Sequence, residues 1–153
     1  MKNAKPLLLA LLAVIIFGLN ACSKTTADQT SPAAKVESGP KKALNAFYEA
    51  MRSKNETGIT GALSKTSIAK MNYVNREMKQ NGFNYYIYKL AFEREGLIGQ
   101  STDPNDLIEL DVVGEKIEPD KATLDLKNPK DGQTSQAKFV LEDGAWKLDI
   151  LSR

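Results

Sequence analysis

The chain has 153 residues, 21 basic and 19 acidic side chains, a single Cys and no His. That length fits one small domain. The missing His excludes serine and cysteine triads, histidine-bound zinc and the usual general base near neutral pH. A formal charge of +2 argues against nucleic acid as a partner.

Lys2 and Lys5 precede an unbroken apolar run from Leu7 to Phe17. The run suits the apolar core of a signal sequence and falls short of the about 20 residues a membrane span needs. It leads into Leu19-Asn20-Ala21-Cys22, which holds the one Cys of the chain. A lone thiol has no internal disulfide partner. The stretch resembles the lipobox of bacterial lipoprotein signals, with Leu19, Ala21 and Cys22 at matching positions. The resemblance implies that Cys22 takes a diacylglyceryl thioether, that residues 1–21 are removed, and that the new amine is acylated. One acyl chain anchors only marginally, whereas two or three hold a protein on the bilayer. The implied partner is the lipid bilayer, and the implied location is a membrane face toward the periplasm. Ser23 favours the outer membrane in a host that has one.

Removal of Lys2 and Lys5 with the signal leaves 19 basic against 19 acidic groups, since 21 − 2 = 19. Residues 22–39 form the lipidated Cys and a tether. The tether contains almost no large apolar groups, so it cannot offset its ordering entropy. As a coil it spans roughly 20–25 Å, which keeps the domain close to the bilayer.

The folded domain is expected over residues 40–153. Pro40 suits a first helical turn, where its missing N–H leaves nothing unpaired. Leu44, Phe47, Tyr48 and Met51 then make one apolar stripe. Asn55-Glu56-Thr57-Gly58 is read as the end of that helix. Leu63, Ile68, Met71 and Met78 indicate one or two helices between about 60 and 80, which Asn81-Gly82 breaks. Phe83, Tyr86, Ile87, Leu90 and Ala91 form a second helical stripe, with Gly96 as its stop.

After Asp103-Pro104-Asn105 the period changes to two. Ile108, Leu110 and Val112 alternate with polar residues, as do Ala122, Leu124 and Leu126 and then Trp146, Leu148 and Ile150, while Ala137, Phe139 and Leu141 alternate with Lys138 and Val140. Pro119-Asp120, Asp131-Gly132 and Asp143-Gly144 separate them. Asp-Gly favours turns between antiparallel strands, so a meander follows. The fold class is α+β, with N-terminal helices packed on an antiparallel sheet of about four strands.

The segment Lys42-Ala43-Leu44-Asn45-Ala46-Phe47-Tyr48-Glu49-Ala50-Met51 resembles the first helix of the nuclear-transport-factor-2-like superfamily. Glu142-Asp143-Gly144-Ala145-Trp146-Lys147-Leu148-Asp149-Ile150 resembles its last hairpin. Both signatures occur in small bacterial lipoproteins, including an uncharacterised lumazine-binding-like family. The resemblance implies a curved, cone-like sheet around the helices, with a pocket at the open end. It implies no single activity, because a fold of this kind hosts enzymes and binding modules alike.

No residue pattern marks a catalytic centre, a metal site or a cofactor. Gly58 and Gly61 are too sparse for a phosphate loop. Asp103, Asn105 and Asp106 lack the Gly and distal Glu of a calcium loop. The candidate pocket, from the cone geometry the resemblance implies, is rimmed by Phe83, Tyr86 and Ile87 on the helix and by Phe139 and Trp146 on the sheet. The leading expectation is a membrane-anchored, non-catalytic module that binds an envelope protein or a small apolar ligand. The alternative is a metal-independent enzyme of isomerase or dehydratase type, using a carboxylate and one of Tyr73, Tyr85, Tyr86 or Tyr88.

Overall fold

A computed structural model of the chain describes residues 39–150. Cys22, the signal segment and the tether lie outside the described residues. Four helices precede a four-stranded antiparallel sheet that is curved and open.

The first helix, α1 (Gly39–Arg52), buries Leu44, Phe47, Tyr48 and Met51, the stripe its spacing predicts, together with Pro40 and Ala50. Asn55 does not end it. α1 stops at Arg52, and Asn55 caps a second helix, α2 (Glu56–Ala62), by accepting from the Gly58 N–H at 3.1 Å. Asn side chains compete for backbone donors at helix starts, so the same residue type serves either boundary. Ser64 caps α3 (Lys65–Glu77) in the same way, and Asn84 caps α4 (Tyr85–Arg94). Gly82, at φ +86°, makes the turn between α3 and α4.

The strands are β1 (Asp111–Ile117), β2 (Lys121–Lys127), β3 (Thr134–Glu142) and β4 (Ala145–Leu148), paired in chain order as a meander. Asp143 and Gly144 both have positive φ, as a two-residue hairpin turn between β3 and β4 requires. Ala122, Leu124 and Leu126 of β2 and Ala137 and Phe139 of β3 face the helices and are buried. In β1 the register skips Val113, so Val112 and Glu115 pair with the buried Leu126 and Leu124. The bulge thereby turns Glu115 toward α1, where it meets Lys41 at 3.1 Å.

The core joins α1, α2 and the sheet, with Tyr88 and Phe92 of α4 closing it. Phe92 meets Phe47 edge-on, with ring centres 5.0 Å apart. Two polar staples tie distant segments. The Tyr48 hydroxyl donates to the Leu97 carbonyl at 2.9 Å and accepts from the Leu110 N–H at 3.3 Å. Burial drives its phenol pKa well above the ordinary value. The hydroxyls of Ser64 and Ser67 lie 2.8 Å apart, both within 3.3 Å of Asp149 Oδ1, and Ser67 Oγ accepts from the Ile150 N–H. That staple pins the start of α3 to the end of the sheet.

Two sequence expectations change. On α4 the buried residues are Tyr88, Lys89 and Phe92, whereas Tyr86 and Leu90 are 53% and 54% exposed. On the last hairpin Leu148 and Ile150 are buried, but Leu141 is exposed and Trp146 only half-buried, against the edge of the core. Trp146 covers the first residue of α1 so closely that a Cβ on Gly39 would stand 2.7 Å from its indole.

Candidate functional site

The five residues expected to rim a pocket are dispersed. Phe83 and Ile87 pack against the core, and Phe83 stacks on Tyr88 with ring centres 4.7 Å apart. Phe139 is buried in the core. Trp146 lies over Gly39 at the start of α1. Tyr86 faces outward, and the Lys54 ammonium sits 5.5 Å from its ring centre and 5.1 Å from that of Tyr85. One surface depression takes in Phe139 and a different one takes in Tyr86.

A different group of residues converges where α4 ends. Gly96, at φ +69°, stops the helix, and the chain returns through Leu97, Ile98 and Gly99. Gly99 bridges Ile108, its N–H donating to the Ile108 carbonyl at 2.8 Å. No side chain fits there, because a Cβ would stand 2.7 Å from Ile108 Cγ2 and 3.0 Å from Asn128 Nδ2. The β2–β3 turn closes the other side. Asn128 donates its N–H to the Gln133 carbonyl and its Oδ1 accepts from the Lys130 N–H at 2.9 Å. The Ser135 hydroxyl donates to the Gly96 carbonyl and fastens the two sides together.

Between them lies a cleft of about 100 Å³. Its floor is Ile98 and Leu110, with Asn128 buried beside them. Glu93 forms part of one wall, and the exposed Gln100, Asp131, Gln133 and Thr134 form the rim. Glu93 also lines a neighbouring, more open depression of about 240 Å³ with Tyr86, Leu90, Ser101, Thr102 and Pro104. The two hollows therefore share Glu93 in their lining.

That carboxylate belongs to a buried ion pair. Lys89 Nζ and Glu93 Oε1 are 2.5 Å apart, with side chains only 6% and 11% exposed. Burying two charges is costly even when they are paired. Beside them Asp106 accepts from Lys130 Nζ and from the Ser101 hydroxyl, each at 3.1 Å. The Lys130 bond, then the Ser101 bond, holds the Asp106 carboxyl below its ordinary pKa. The cleft is polar at its walls and apolar at its floor.

A broader hollow of about 640 Å³ runs along α1 and α2, past Glu49, Arg52 and Asn55, and is open to solvent. Among the described residues no group of three or more Asp, Glu, His or Cys is placed to hold a metal ion. Among them also, no helix is long and apolar enough to cross a membrane.

Comparison with models of known protein families finds no match, and comparison with curated proteins finds none either.

Proposed function

We propose that this protein is an envelope lipoprotein whose nuclear-transport-factor-2-like domain binds a small polar ligand without turning it over. Acylated Cys22 holds it on the bilayer, and residues 23–38 let the domain reach the periplasmic space near that surface. Ser23 places it on the outer membrane where the host has one.

The observation that carries the reading is the cleft at the end of α4. Its lining combines a buried amide residue, Asn128, and a nearly buried acidic one, Glu93, with the apolar Ile98 and Leu110. Convergent polar groups over an apolar surface are what small-ligand sites offer. A polar ligand replaces the apolar one the sequence favours, because the walls are amide and carboxylate. Binding without turnover is favoured by how the carboxylates are held. Glu93 and Asp106 each already have an ammonium partner, and Asp106 is moved away from the raised pKa a general base at neutral pH needs.

Two measurements test this. Metabolic labelling with a clickable fatty acid is expected to mark the wild type and leave Cys22→Ala unlabelled, and equal label on both would contradict the anchoring. Native mass spectrometry of the full-length protein from detergent-solubilised membranes is expected to show a bound low-mass species that leaves unchanged on denaturation. A ligand that is chemically converted during incubation would contradict the non-catalytic reading.

A further inference from the structure

The chemistry of the cleft narrows its ligand, given the reading that the cleft is the binding site. The cleft is small, about 100 Å³. It takes one small substituent, and the remainder of any larger ligand rests on the rim. Each wall then constrains that substituent.

The floor of Ile98 and Leu110 asks for a small apolar group such as a methyl. Asn128 uses its Oδ1 on the Lys130 N–H, while its Nδ2 has no hydrogen-bond partner among the described residues. That free donor stands 3.0 Å from the Cβ position of Gly99, at the cleft wall, so it calls for an acceptor. Glu93 uses Oε1 on Lys89 and keeps Oε2 without a hydrogen-bond partner among the described residues, so it calls for a donor. A methyl, an acceptor and a donor on one small planar group make a secondary acetamide. A carboxylate would face Glu93 with like charge. A free amine would leave the Asn128 donor unmatched, and Lys89 already balances Glu93.

The rim decides what carries the acetamide. Gln100, Gln133 and Thr134 are exposed and offer donors and acceptors side by side, the pairing that hydroxyl groups satisfy. An acetylated lysine would bring a bare methylene chain across the same polar rim. We infer that the cleft binds the acetamido group of an N-acetylated amino sugar, with the sugar ring lying on the rim. The methyl rests on Ile98 and Leu110, the carbonyl oxygen accepts from Asn128 Nδ2, and the N–H donates to Glu93.

The test is a two-dimensional NMR titration of the full-length protein in a sugar-free detergent. The probes are N-acetylglucosamine, glucosamine, glucose and Nε-acetyl-lysine amide. Saturable shifts at the Gly99 amide and the Asn128 side-chain amide are expected with N-acetylglucosamine, and the other probes should bind at least about tenfold more weakly. Asn128→Asp keeps the Oδ1 acceptor for Lys130 and replaces the donor by a second acceptor. It should weaken N-acetylglucosamine about tenfold, the usual worth of one hydrogen bond. Thr134→Val, on the exposed rim, should weaken the sugar without altering the acetamide preference. Glucose binding as well as N-acetylglucosamine would overturn the acetamide. Tighter binding of the acetyl-lysine probe would overturn the sugar. If every probe leaves the cleft unshifted while a low-mass membrane extract shifts it, this inference fails and the binding reading stands. If the extract also leaves it unshifted, both fail.

Discussion

Tyr48→Phe removes one oxygen and should cost more than most surface substitutions. The hydroxyl is buried and serves two backbone groups, the Leu97 carbonyl at 2.9 Å and the Leu110 N–H at 3.3 Å. Each lost bond is worth about 1 kcal/mol net, and leaving a buried partner unpaired raises that to about 1–3 kcal/mol. The 3.3 Å bond lies at the weak end of the range, so the sum is about 2–3 kcal/mol. With a urea m-value of about 1.5 kcal/mol/M, the midpoint should fall by about 1.3–2 M. The fluorescence of the lone Trp146 and far-UV circular dichroism should report the same transition. The substitution also has a pH signature. Burial raises the folded-state pKa of Tyr48 above its ordinary value of 10.0. Its contribution is therefore fully present below pH 10 and is lost as pH rises toward the folded-state value, because the unfolded chain releases that proton first. The stability gap between wild type and Tyr48→Phe should narrow above pH 10. An unchanged urea midpoint, or a gap that widens with alkali, would refute the role given to this hydroxyl.

Two further substitutions probe the packing, one beside the cleft and one at the start of α1. Lys89→Met should cost about 3–5 kcal/mol by leaving Glu93 buried and unpaired, while Lys89→Met with Glu93→Leu should recover most of it. Chemical denaturation of the double-mutant cycle checks this, and additive losses would mean the two charges are not coupled. Trp146→Ala should cost about 2 kcal/mol, below the loss for a fully buried aromatic, because the indole is half-buried over Gly39. A denaturation midpoint unmoved by the change would place the ring off the helix.

The sheet is the part of the fold most legible in the chain. Period-two alternation located β2, β3 and β4, but the alternation at Ile108, Leu110 and Val112 falls ahead of β1, which runs Asp111–Ile117 and breaks its period at the Val113 bulge, while Asp143-Gly144 marks a turn that its positive φ angles bear out. α1 was equally plain, since its apolar residues fall on one face and polar ones elsewhere. α4 was not. Tyr85, Tyr86, Ile87, Tyr88, Leu90, Ala91 and Phe92 surround that helix, so spacing alone cannot choose which rings face inward. The contact of Phe92 with Phe47 of α1, a residue distant in sequence, makes the choice, and Tyr88 follows it by packing on Phe92 and Phe83. The cleft was hidden for a related reason. Asn128, Gln133 and Thr134 belong to a turn, where polar residues are the rule whether or not they line a site. Lys89 and Glu93 read as an ordinary solvated i, i+4 pair. Only the fold of residues 95–110 over them reveals that they are buried.

Hydrogen exchange on the full-length protein, with and without the low-mass fraction extracted from its own membranes, tests the central claim most directly. Slowed exchange confined to residues 96–100 and 128–135 is the expected result, with the remaining backbone unchanged. Protection that appears only along α1 and α2, or none anywhere, would contradict a binding site in the cleft at the end of α4.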